Sequence, residues 1–473
     1  MTNVSATNEE KHELPKDFLG EMSALWVLGL PMGLTQLVQF SIQTIDVVMI
    51  GRLGADALGA ASLGMAVFFV VFLTGFGPAM AISPLVSQAL GANQNDYDDV
   101  RLTVRMGLWS VVIGTPFILG LFFLAKNVLL LLGQPQHLVD LAAPYIIALA
   151  PGLPFAIAVM MLRNFLAAID RTIAPLIIII FTTLINACLN FLLIYGNFSF
   201  PELGLVGAGI ASSIAHFLGF AFLVFYIYWD KVAARFSLFR DFFNKDWTRL
   251  KELIRLGWPI GVATSFEGML FNAGVLLMGR IGAAEVAAYQ IALNVAALAF
   301  MMPLGMSMAG AVRVGLAVGA RNLKAVQRSA FASVLLSVGF ILLFAVPVVA
   351  APDLIIGGYL DTNDSGNKAV AALAATFLPI AGAFMVFDAV QVAANQALRG
   401  LKDVDIPMVL TGVSYWVVGF PLAAGLGLYS SAGARGVWWG LLAALGCAAF
   451  LLGTRLWQLT RQLPKQPIHE GSH

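Results

Sequence analysis

The chain has 473 residues, of which 59% are hydrophobic and 11% charged, and its mean hydropathy is +0.86. A soluble globular protein carries about 25% charged residues, so disordered and nucleic-acid-binding classes are excluded. A disulfide-stapled secreted fold is excluded too, because Cys188 and Cys447 are the only thiols, and a formal charge of +1 provides no net field for an acidic partner. What remains is an integral membrane protein.

A helix needs about 20 apolar residues to cross a bilayer. Twelve such stretches run in order along the chain, at 23–50, 57–89, 102–125, 138–162, 173–196, 205–229, 253–279, 286–318, 327–351, 369–398, 406–429 and 434–460. None alternates apolar and polar residues as a membrane strand does, so the predicted class is an all-α bundle of twelve transmembrane helices. The first twenty residues are polar, and no cleavable signal peptide is expected. With an even number of spans both termini lie on one side, where 22 of the 27 Lys and Arg are expected, against five on the other. The positive-inside rule makes that side cytoplasmic. The expected location is the plasma membrane, an inner membrane in a bacterium.

The chain repeats itself. A shift of 228 residues places Leu28-Gly29-Leu30-Pro31 on Leu256-Gly257-Trp258-Pro259 and Gly51-Arg52-Leu53-Gly54-Ala55 on Gly279-Arg280-Ile281-Gly282-Ala283. Without a gap it also places Gly91-Ala92 on Gly319-Ala320, and a shift of 232 places Pro175 on Pro407. Equivalent residues lie six spans apart, so the halves are parallel repeats about an axis along the membrane normal, an arrangement of secondary transporters. The expected layout is a cytoplasmic tail over 1–22, an N-lobe over 23–229, a linker over 230–252, a C-lobe over 253–460 and a second tail over 461–473. The linker holds six Lys/Arg and four Asp/Glu and is expected to lie on the cytoplasmic face, against the membrane surface. The GxxxG spacings Gly29–Gly33, Gly315–Gly319 and Gly436–Gly440 are read as helix packing.

Charges inside the spans carry the functional reading. Every Lys and Arg is placed at a span end or in a loop, and so are all acids except Asp46, Glu267 and Asp388. A charge near the bilayer centre costs about 2.5–3.5 kcal/mol on translocon scales, so such residues face cavities and carry function. On span one, Gln36, Gln39, Gln43 and Asp46 share a helical face. Thr182, Asn186 and Asn190 form a stripe on span five that reaches the depth of Asp46, giving a carboxylate and two amide carbonyls as hard oxygen ligands for Na⁺, or a hydrogen-bonded proton carrier. Span ten carries Asp388, Gln391 and Asn395, and span eight Gln290 and Asn294; these amides and the three glutamines of span one are candidate cavity-lining residues. Glu267 and Asp388 lie at matched depth and are expected to share a pocket, a second candidate site for Na⁺ or H⁺. The 228 shift maps Asp46 onto Gly274 and Glu267 onto Gln39, so the scaffold is duplicated and the acids are not. Pro31 is a candidate hinge through which protonation or ion exchange at Asp46 bends span one.

Other chemistry is missing. No Gly-Lys dipeptide occurs, hence no P-loop, and no CxxC or GxSxG; His216 is the only histidine within a span. No enzyme and no cofactor are predicted. An acidic cavity lined by Phe266, Phe271, Met269, Met301, Met302, Tyr415 and Trp416 suits lipophilic cations.

The segments LGLPMGLTQLVQFSIQTIDVVMIGRLGADALGAASLG, EGMLFNAGVLLMGRIGAAEVAAYQIALN and FDAVQVAANQALRGLKD together resemble the multidrug and toxic compound extrusion (MATE) family, in its NorM-like branch, over residues 20–460. The resemblance implies a V-shaped fold of two lobes around a central cavity. It also implies export of lipophilic, often cationic drugs and dyes in exchange for Na⁺ or H⁺, by alternating access. By position, Asp46, Asn186 and Asn190 match the polar site of the N-lobe, although relatives with an acid at the second span-five position differ from Asn190 here. Glu267 and Asp388 match the C-lobe acids. A monomer in the bilayer is expected, with no nucleic-acid partner. The alternative in transport is a flippase for a lipid-linked precursor, whose cavity needs basic residues to meet phosphate; an intramembrane enzyme is the third class.

Overall fold

A computed structural model describes residues 14–360 and 364–462, so most of both expected tails lies outside the described residues. Among the described residues every regular element is helical. The first half comprises α1 (Phe18–Gly51), α2 (Ala55–Ala92), α3 (Tyr97–Leu131), α4 (Gln136–Leu149), α5 (Gly152–Ala168), α6 (Ile173–Tyr195) and α7 (Gly204–Trp229). The second comprises α8 (Trp247–Ile281), α9 (Ala283–Gly319), α10 (Leu323–Ala350), the single turns of α11 (Pro352–Gly357), α12 (Lys368–Gly400), α13 (Asp405–Gly412), α14 (Phe420–Leu428) and α15 (Ala434–Gln462). Eleven spans are long and apolar enough to cross a membrane, with α13 and α14 counted as one; α4 and α5, bent by 48°, make a twelfth.

Two of the spans are irregular for identifiable reasons. Ala150 and Pro151 separate α4 from α5, and proline supplies no N–H to continue the helical ladder. The carbonyl of Ala148, at that break, accepts a hydrogen bond from the Ser213 hydroxyl of α7 at 2.6 Å. A neighbouring hydroxyl is how a membrane helix satisfies backbone freed by proline. Between α13 and α14 the chain makes a π-helical turn over Val413–Gly419 that carries Tyr415 and Trp416. Such wide turns interrupt α-helices chiefly at functional sites.

The repeat read from sequence is also a packing symmetry. Shifting α1 and α2 by 228 residues superimposes their bounds on those of α8 and α9 to within two residues. Gly33 of α1 lies against Gly305 of α9, and their repeat equivalents Gly261 and Gly77 pack against each other across α8 and α2. Gly91 abuts Leu316, and its counterpart Gly319 abuts Gln88, the counterpart of Leu316. Only glycine lets two backbones approach so closely. The two lobes therefore meet through one self-consistent set of small residues. All of it lies in the halves of these helices nearer the chain termini. The remaining GxxxG pair, Gly436 and Gly440, seats α15 on α14 at Leu426 and Ala423.

Several sequence expectations change. α1 begins at Phe18 and α5 continues to Ala168, because helix packing extends past the purely apolar stretch. Pro31 and Pro259 lie well inside their helices. The linker shortens to 230–246, since 247–252 already belong to α8. It docks on α3, with Phe236 and Leu238 buried. Arg101, Arg105 and Trp109 of α3 donate to the carbonyls of Phe236, Asp241 and Phe242 at 2.9, 3.1 and 2.7 Å.

Candidate functional site

In the first lobe, α1 and α6 bring Asp46, Asn186 and Asn190 together. Asn186 and Asn190, one turn apart on α6, are both buried. Asn190 Nδ2 donates to Asp46 Oδ1 at 2.6 Å and lies 3.3 Å from Asn186 Oδ1. Asn186 in turn reaches the Ser212 hydroxyl of α7 at 3.5 Å, a residue sequence reasoning did not single out. Tyr195 ties the same pair of helices by donating to the Met49 carbonyl at 2.7 Å. The Asn190 Oδ1 atom is buried without a hydrogen-bond partner. Thr182 only returns its hydroxyl to the Ile179 carbonyl of its own helix.

In the second lobe, Gln391 bridges the two acids. Its Nε2 lies 3.2 Å from Asp388 Oδ1 and 3.5 Å from Glu267 Oε1. Asp388 and Gln391 are one turn apart on α12, and Glu267 faces them from α8. Here too the amide leaves its carbonyl oxygen, Gln391 Oε1, buried and unpaired, and the Tyr415 hydroxyl is in the same condition. Buried polar atoms are almost always satisfied, so each lobe holds a carboxylate beside an unsatisfied amide oxygen. Oxygen donors of this kind suit a hard cation. Among the described residues no group of three or more His, Cys, Asp or Glu is placed to hold a metal ion.

Between the lobes lies a cavity of about 490 Å³, within the range of small-molecule pockets. Gln36, Gln39, Gln43 and Asn395 line it, as do Glu267, Phe271 and Met301. The other residues expected to line it are elsewhere. Gln391 is fully buried in the acidic bridge, and Tyr415 is buried with it. Met302 packs on Gly33, Phe266 on Gly412, and Trp416 on Phe420. Met269 is 58% exposed, outside the lining. Gln290 and Asn294 are exposed on α9, where Asn294 accepts from the Tyr359 hydroxyl at 2.9 Å. His216 stacks on Phe68. Phe69, Phe72 and Phe76 of α2 do line the cavity. Their helical spacing was a legible signal that sequence reasoning missed.

Basic residues near helix ends also reach the protein interior. Arg163 of α5 and Arg399 of α12 both line the cavity. Arg163 donates to Gln39 Oε1 at 3.0 Å and to Gln36 Oε1 at 2.9 Å. Arg313 of α9 is buried against Glu21 of α1, so Glu21 joins the three acids read as interior. Charges can enter the protein interior when fixed partners compensate them, and partners distant in sequence are invisible to a hydropathy scan. A flippase cavity needs basic residues to meet phosphate, and Arg163 and Arg399 are present in this one.

A family model described as MatE matches residues 31–192 and 259–424. A probable multidrug resistance protein NorM from Rhizobium meliloti (strain 1021) is 40% identical over 444 residues, covering 93% of this chain and 94% of that protein. A multidrug resistance protein NorM from Burkholderia vietnamiensis is 35% identical over 441 residues, covering 93% of this chain and 94% of its own length. Among solved structures, a multidrug resistance MATE family transporter of the MOP superfamily in an outward-facing conformation superimposes with a TM-score of 0.85. That match has 19% identity and covers 96% of this chain and 100% of that one. Motif, repeat, fold and relatives agree: the chain belongs to the MatE family of membrane transporters.

Proposed function

We propose that this chain exports lipophilic, often cationic drugs and dyes in exchange for Na⁺ or H⁺, by rocking its two lobes between outward-open and inward-open states. The observation that carries this reading is a pair of carboxylate–amide clusters, one in each lobe, with Glu267 of the second reaching the interlobe cavity. The clusters are partly buried and lie at Asp46–Asn190–Asn186 and at Glu267–Gln391–Asp388. The drug occupies the interlobe cavity, where Glu267 and the α2 phenylalanines attract a lipophilic cation. Na⁺ would be held by a carboxylate and the neighbouring amide oxygen; a proton would reside on the carboxylate itself. Either ion neutralises a charge that otherwise holds the drug, which couples inward ion movement to outward drug release. The lysine and arginine bias supports cytoplasmic termini, and the proposed location is the plasma membrane, with the single chain as the working unit.

Ethidium efflux from vesicles, under separately imposed Na⁺ and pH gradients, tests the proposal. Wild type exports under one gradient, while Asp46→Asn, Glu267→Gln and Asp388→Asn lose gradient-driven efflux. Retained coupled efflux in all three variants overturns the ionic mechanism. A lipid-linked substrate is the competing reading, favoured by Arg163 and Arg399 in the cavity. Scrambling of a labelled lipid-linked sugar, with no efflux of any cation, would establish it.

A further inference from the structure

We propose that the central cavity contains an anion subsite, in which Arg399, supported by Arg163, receives a carboxylate on the transported compound. The inference rests on the transport reading above and narrows its substrate class to amphoteric molecules. Arg399 is 8% exposed and lines the cavity, yet among the described residues it makes no hydrogen bond or ion pair. Its Nε is buried without an acceptor. The other buried arginines keep a partner: Arg313 is clasped by Glu21, and Arg105, whose Nε is likewise unpaired, donates through Nη1 to the Asp241 carbonyl. A desolvated guanidinium with no partner is costly. Its planar set of five donors is shaped for a carboxylate or phosphate.

Arg163 adds positive charge from the opposite lobe. Its partners Gln36 and Gln39 are neutral, so they orient the guanidinium without cancelling its charge. Glu267 lines the same cavity and attracts Arg399 electrostatically, but makes no hydrogen bond or contact ion pair with either arginine, its Oε1 being reached by Gln391 instead. The cavity therefore presents separated charges of both signs. An amphoteric ligand sets its amine toward Glu267 and its acid toward Arg399. The repeat reinforces the point. The 232 shift places Arg163 on Asn395 and Arg399 on Ala167, and all four line the cavity. Each lobe supplies one arginine, one helical turn apart, so neither is a by-product of the duplicated scaffold.

A matched dye pair provides the test. The purified full chain in phosphatidylcholine nanodiscs is titrated with a rhodamine bearing a free carboxyl group and with the methyl ester of the same dye, followed by fluorescence polarisation. Wild type prefers the acid. The acid-to-ester affinity ratio falls about tenfold in Arg399→Gln, as expected for loss of a charge-assisted bidentate contact. It falls less in Arg399→Lys, which keeps the charge and loses the fork, and less again in Arg163→Gln. No preference in wild type, measured without any variant, overturns the subsite; so does an unchanged ratio in a folded Arg399→Gln. Ester efflux without acid preference overturns the subsite alone, whereas absence of binding and efflux for both dyes overturns the transport reading. A lipid phosphate has the same chemistry as a carboxylate. If phosphatidylglycerol in the disc displaces the acid dye from wild type but not from Arg399→Gln, the subsite belongs to a lipid headgroup and the drug assignment fails.

Discussion

The carboxylate of Glu21 and the guanidinium of Arg313 form a buried bidentate pair, with both nitrogen–oxygen distances at 2.8 Å. The pair joins α1 of one lobe to α9 of the other, and the Ser329 hydroxyl of α10 donates a third hydrogen bond to Glu21 at 2.7 Å. The 228 shift places Glu21 on Arg249, which pairs across the lobes with Asp99 of α3. Gln88 adds a hydrogen bond to the Gly400 carbonyl at 2.8 Å. These contacts lie on the side of the termini, alongside the glycine interface. They close the lobes there.

Glu21→Gln should therefore weaken that closure. Breaking one side of a buried ion pair costs about 3–5 kcal/mol, because the remaining charge is stranded. The expected outcome is a lower Tm, and faster labelling of a thiol placed at Ser87, which packs against Gly315 between the lobes. The labelling is measured in a background without Cys188 and Cys447. The double variant Glu21→Leu/Arg313→Leu recovers most of the Tm, since no unpaired charge remains.

The glycine symmetry makes a matched prediction. Gly77→Val and Gly305→Val place side chains against the backbones of α8 and α1 respectively, at repeat-equivalent contacts. Overpacking a tight contact costs about 1–3 kcal/mol. Both variants should lower Tm by similar amounts and increase Ser87→Cys labelling. Gly339→Val, at a glycine with open space around it, should leave both readouts unchanged.

Asn190→Leu removes the amide that donates to Asp46 at 2.6 Å. A hydrogen bond to a charged group contributes about 1.5–3 kcal/mol, so gradient-driven ethidium efflux should fall by an order of magnitude or more. Tyr195→Phe loses only a neutral contact to the Met49 carbonyl and should reduce the rate at most severalfold. Equal effects of the two would show that helix tethering, not the Asp46 environment, sets the rate.

Gln391→Leu separates Asp388 from Glu267 by deleting the bridge between them. Coupled efflux should be lost, while Gln391→Glu, which places a third carboxylate in the cluster, should lower Tm through like-charge repulsion. Scanning fluorimetry and vesicle efflux on the same preparations check both outcomes.

The amino-acid sequence by itself determined the membrane class, the helical architecture and the duplication. Hydropathy and repeat spacing are local or periodic properties, readable without knowing which helices touch. It also marked Asp46, Asn190, Glu267, Asp388 and Gln391, because polar groups inside apolar runs stand out one by one. Only the tertiary structure decided which of them meet. Gln391 became a bridge rather than a lining residue, and Asn294 turned away to Tyr359. The interior arginines escaped the sequence reading for the same reason. Arg163, Arg313 and Arg399 stand near the ends of apolar stretches, where a scan assigns them to the membrane edge. Two of them are fixed by partners more than a hundred residues away, Glu21 for Arg313 and Gln36 for Arg163. Burial and pairing are properties of two chain segments together, and one-dimensional patterns register only one at a time.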